Sequence, residues 1–108
     1  MLHPSESSTG FNVRIFACVD SALDTFGAGA KKAFYFQISE KYGIPEKDFP
    51  KRPLDVIRYM KEILPRGYPI VERAIVKEIC QRFNIPYTET LSLAGVLARA
   101  QSKFLSVK

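Results

Sequence analysis

Two stretches, Lys41-Tyr42-Gly43-Ile44-Pro45 and Arg82-Phe83-Asn84-Ile85-Pro86, share one order of residue types: a base, an aromatic, a Gly or Asn, then Ile-Pro. Gly and Asn best tolerate the positive φ needed just past a helix end, an apolar residue next to them folds back on the last turn, and proline prevents the helix from resuming. The pattern is therefore read as a helix stop used twice. A chain that stops two helices this way, with no six-residue stretch of strict apolar–polar alternation, is expected to be all-α.

The remaining punctuation divides the chain into about five helices. Phe16, Val19, Leu23 and Phe26 recur at helical spacing and predict a first helix over 12–26, with Gly27 as the left-handed residue after it. Ala30, Phe34, Ile38 and Tyr42, widened by Ala33 and Tyr35, predict a second over 28–42. Pro45, Pro50 and Pro53 bracket a compact linker anchored by Phe49, with a single helical turn at its start. Pro53 suits the first turn of a third helix over 53–64, whose inner face is Ile57, Met60 and Leu64 with Val56 and Ile63. Val71, Ile75, Ile79 and Phe83 predict a fourth over 69–83. A fifth, capped by Thr88 or Thr90, runs to about Leu105, with Leu93, Leu97, Phe104 and Ala94, Ala98, Ala100 on its packing face.

With 108 residues the chain has room for one core. Residues 1–11, which include the Ser-rich start, read as a disordered polar arm, and 12–108 as a single compact helical bundle. Aligning the two stops at an offset of 41 residues also aligns Lys32–Pro45 with Arg73–Pro86. The bundle thus reads either as two helix–linker–helix units, second with third and fourth with fifth, under a first helix laid across them, or as unrelated amphipathic helices sharing a cap. No apolar run is long enough to span a bilayer, and none at the start has signal-peptide length, so the expected compartment is the cytoplasm.

Residues that carry chemistry are sparse. His3 is the sole histidine and falls in the expected arm. Cys18 and Cys80, far apart and without metal-ligand spacing, read as small core residues. Gly27-Ala28-Gly29 before Lys31-Lys32 matches no phosphate-loop pattern and reads as a turn between helices. The pairs Asp20/Asp24 and Glu46/Asp48 read as solvated carboxylates, too few in oxygen ligands for a calcium loop. No acid–base–nucleophile set is recognisable, so neither an enzyme, a cofactor nor a metal is expected.

Two binding readings follow. A helix that buries Phe34 and Ile38 turns Phe36 to roughly the opposite side; that aromatic is either covered by the first or fifth helix or is, with Tyr35, a candidate interface for a protein partner or another copy. The net charge of +5 allows a nucleic-acid reading. In it the third and fourth helices act as a helix-turn-helix, and Arg73, Lys77 and Arg82 contact the nucleic acid together with Lys31, Lys32, Lys51 and Arg52.

From Val19 to Phe83 the chain resembles the Nitrosopumilus output domain, a small archaeal helical domain. The resemblance rests on the turn at Phe26-Gly27, the Lys31–Ile38 core with its Tyr35-Phe36 pair, the stop at Tyr42-Gly43-Ile44, the Asp48-Phe49-Pro50 linker and the Val71–Ile79 stretch. It implies an output or effector module of the kind that follows receiver domains in signalling proteins, and so a non-enzymatic interaction or regulatory role. Where that arrangement has a receiver, this sequence has only the polar arm, so a stand-alone version is expected.

Overall fold

The computed structural model describes residues 4–106, and the side chains of residues 10–105. His3 lies outside the described residues. The elements are α1 (Pro4–Asp24), α2 (Ala28–Tyr42), a 3-10 segment (Glu46–Lys51), α3 (Pro53–Ile63), α4 (Tyr68–Phe83) and α5 (Leu93–Ser106). No strand occurs among them, and the all-α expectation holds.

α1 is the hub. It packs against α4, the 3-10 segment, α2 and α3, while α2 packs on α3 and α4 on α5. Its buried stripe is Ile15, Cys18, Val19, Ala22 and Leu23. This corrects the stripe expected from Phe16 and Phe26: a helix touched from several sides buries a broad face, Phe16 sits half-buried at its margin, and Phe26 lies past the last helical residue in the turn. The start is also corrected. Residues 4–11, expected as an arm, open α1, and the Phe11 ring packs 6.0 Å from Phe83 and 5.4 Å from Phe104.

Both stops close as their residue types require. Gly43 (φ 67°) donates to Ser39 O at 2.9 Å, the simple left-handed cap. Asn84 (φ 57°) sets up the longer Schellman bond, Ile85 N to Cys80 O at 2.8 Å. Ile44 and Ile85 are buried, which is the fold-back contact expected of them. Gly27 has φ 98° and joins α1 to α2 in a tight turn.

The linker is held from inside. Phe49 is 1 % exposed, with its ring 5.3 Å from Tyr35 and 6.3 Å from Phe16, so these aromatics tie the 3-10 segment to α1 and α2. α5 begins later than expected. Ser92 Oγ accepts from Gly95 N at 3.0 Å and its carbonyl from Val96 N at 2.9 Å, so Ser92 is the cap, and Thr88 and Thr90 lie in the preceding turn. The buried face of α5 is Val96 and Ala100, flanked by half-buried Leu93, Leu97 and Phe104; Ala94 and Ala98 are exposed.

Candidate partner interface

α2 buries only Tyr35 and Ile38. The rest of the helix is open on one side because α1 and α3 support it from the other, so Gly29, Lys32, Ala33, Phe36, Gln37 and Glu40 are all exposed. Phe36 is 61 % exposed, and none of the described residues covers it. Beside it, Gln37, Glu40 and Lys41 of α2 and Glu62 and Ile63 of α3 line an open groove of about 540 Å³.

Two tyrosines join α2 to α3 through the groove residue Glu62. Tyr42 of α2 and Tyr59 of α3 stack with centroids 3.8 Å apart and ring planes 12° apart. The Tyr42 hydroxyl donates to Glu62 Oε1 at 2.6 Å, a short bond to a carboxylate that pushes the phenol up to about 12. The α2–α3 angle is thereby set by side chains that meet only in the folded chain.

Tyr35 is corrected as an interface residue. It is 8 % exposed, faces Phe16 and Phe49, and donates to Asp20 Oδ1 at 2.8 Å. Burial, then the hydrogen bond to Asp20, raises its pKa well above the ordinary tyrosine value. Tyr35 and Phe36 are neighbours on a helix, a third of a turn apart, and the face that docks on α1 claims the first alone.

Three of the seven cations expected to contact nucleic acid are engaged by acids of the chain itself. Lys31 is held by Asp24 at 2.7 Å and Asp20 at 3.2 Å, interactions that raise its pKa. The pair Asp20/Asp24, expected to be merely solvated, thus anchors α2 to α1. Arg52 pairs with Asp55 at 2.9 Å, and Arg82 with Glu78 at 3.2 Å and with the Ser21 hydroxyl. Lys32, Lys51, Arg73 and Lys77 are exposed. Arg73 and Lys77 share a side of α4, with Lys77 over the Tyr87 ring, whereas Arg82 lies about half a turn round the helix from Arg73. α3 packs on α1, α2 and the 3-10 segment, and α4 on α1 and α5, so the two do not form the mutually packed pair of a helix-turn-helix.

Cys18 and Cys80 are buried and free, and burial pushes the Cys18 thiol up to about 11. No group of three or more His, Cys, Asp or Glu side chains is placed to share a metal ion among the described residues, and among them no helix is long and apolar enough to cross a membrane.

Sequence reasoning found Phe36 but missed Gln37, Glu40, Lys41, Glu62 and Ile63. Glu40 alone carries a usable signal, since it lies four residues from Phe36 and so on the same helix face. Glu62 and Ile63 carry none, because their place beside α2 depends on how α3 docks.

No protein-family model matches the chain, and no curated protein or solved structure matches it significantly.

Proposed function

We propose that this chain is a small non-enzymatic interaction module, acting in the cytoplasm through the α2–α3 surface around Phe36. The observation that carries the reading is a phenylalanine 61 % exposed beside an open groove, on a helix whose other aromatic neighbours are all at least half-buried. Exposed aromatics bordered by polar residues are the usual anchors of protein interfaces. Charged residues on both sides, Glu40, Lys41 and Glu62, supply a polar rim. The resemblance to the Nitrosopumilus output domain adds support for a signalling-type partner role over catalysis.

The test is site-specific photo-crosslinking from position 37 in living cells, with and without Phe36→Ser. The reading expects crosslinks that disappear in the variant while its Tm stays close to the parent's. Crosslinks unaffected by the substitution, or a large fall in Tm, overturn it.

A second reading, binding to nucleic acid, has the +5 charge and the exposed Lys32, Lys51, Arg73 and Lys77 in its favour. A reading that rests on net charge and exposed cations predicts weak, strongly salt-dependent association with little sequence preference. Tight binding to one labelled duplex or RNA at physiological salt would displace the first reading.

A further inference from the structure

The exposed face of α2 is self-complementary about Phe36. Lys32 and Glu40 lie four residues before and after it, and positions four apart fall on one helix face. Both are exposed, and neither enters an ion pair among the described residues, although the adjacent Lys31 enters two. Eight residues separate Lys32 from Glu40, about 12 Å along the axis, too far for them to pair with each other. Small side chains at Gly29 and Ala33 on the same face leave room for close approach.

From this charge complementarity we infer that the partner of the Phe36 surface is a second copy of the chain, docked with its α2 antiparallel to the first across a twofold axis at Phe36. The inference rests on the docking-surface reading and adds its occupant and register. A twofold axis perpendicular to the two helices puts Phe36 against Phe36 of the second copy, and every residue before it level with the residue equally far after it. Lys32 then meets Glu40 of the other copy, and Glu40 meets its Lys32, so two ion pairs flank one aromatic contact. Parallel pairing would set Lys32 against Lys32 and Glu40 against Glu40. The charges therefore select orientation as well as register.

The interface is small. α2 has 15 residues, about 22 Å of helix, and two such faces bury an area at the low end of specific interfaces, below about 1,200 Å². The dimer is accordingly weak and exchanging, with Phe36 supplying most of the affinity and the flanking pairs the alignment.

Sedimentation equilibrium over a concentration series tests this on four proteins: the parent, Phe36→Ser, Lys32→Glu and Glu40→Lys. The parent is expected to dimerise, Phe36→Ser to be monomeric, and each charge reversal to weaken the dimer by roughly tenfold or more, because each sets like charges together twice. An equimolar mixture of Lys32→Glu and Glu40→Lys is expected to recover the dimer, since the heterodimer again opposes unlike charges at both positions. A dimer lost in Phe36→Ser but indifferent to both reversals, or not recovered in the mixture, overturns the antiparallel register alone. A parent that stays monomeric at every concentration overturns the second copy as occupant while leaving the docking surface to its crosslinking test, and a dimer that survives Phe36→Ser overturns dimerisation through this surface.

Discussion

The Tyr35 hydroxyl donates a 2.8 Å hydrogen bond to Asp20 Oδ1, and Lys31 reaches the other oxygen of the same carboxylate at 3.2 Å. One acid on α1 thereby holds two residues of α2 that lie a turn apart. That clamp fixes the rotation of α2 about its own axis, and the rotation is what leaves Phe36 outward.

Replacing Tyr35 by Phe removes the phenolic donor but keeps the ring against Phe49. A hydrogen bond to a charged group is worth about 1.5–3 kcal/mol, and the partly exposed Asp20 keeps Lys31 and water as partners, so a loss of about 1–2 kcal/mol is expected. Urea denaturation of the parent and Tyr35→Phe measures it. An unchanged midpoint would show that the clamp contributes nothing.

Alkaline pH should act through the same tyrosine. A phenol whose folded pKa is raised keeps its proton where the unfolded chain releases it, so its contribution is complete below the ordinary value of about 10 and is lost as pH rises above it. Tyr35 and Tyr68 are raised chiefly by burial, and Tyr42, raised to about 12, chiefly by Glu62. Stability should therefore fall from about pH 10 upward, and less steeply in Tyr35→Phe. Denaturant midpoints across that range, with tyrosinate absorbance followed in parallel, check the slope.

The two helix stops differ in a way that substitution can read. A Cβ added at Gly43 meets nothing within 4 Å, so Gly43→Ala reports backbone strain alone, expected at about 1–2 kcal/mol. Asn84→Gly should be neutral or slightly stabilising, because φ 57° costs glycine nothing. Equal effects at both positions would contradict the left-handed cap as their shared cause.

Ser92→Ala should cost about 1 kcal/mol by removing the oxygen that accepts from Gly95 N, whereas Thr90→Ala should stay within about 0.5 kcal/mol. Thermal melts of the two variants decide which residue caps α5.

Phe49→Ala should be severe, about 3–5 kcal/mol, because the ring is almost fully buried among Tyr35 and Phe16 and its loss opens a cavity between α1, α2 and the 3-10 segment. Leu54→Ala, at a side chain 56 % exposed, should change stability by no more than about 0.5 kcal/mol. Chemical denaturation of both variants measures the contrast.

What the sequence determined by itself was local. α2 and α4 end where a residue tolerant of positive φ precedes Ile-Pro, α3 begins at Pro53, and the Val71–Phe83 row is buried, because each of these depends on residues within a turn or two of one another. The order of types around Phe36 also sufficed to turn it away from the α2 core. The tertiary structure decided the rest. Whether Phe36 would be covered, whether Tyr35 would face α1 or solvent, which cations would be claimed by acids, and which α3 residues would border the groove all depend on side chains brought together from distant parts of the chain. Asp20 meets Tyr35 and Glu62 meets Tyr42 only after the helices dock, and no spacing along the sequence encodes those distances. The central place of α1 has the same origin: a helix touched from several sides buries a face broader than a single three-and-four stripe, so Ile15, off the expected row, joined Cys18, already expected inside, in its core.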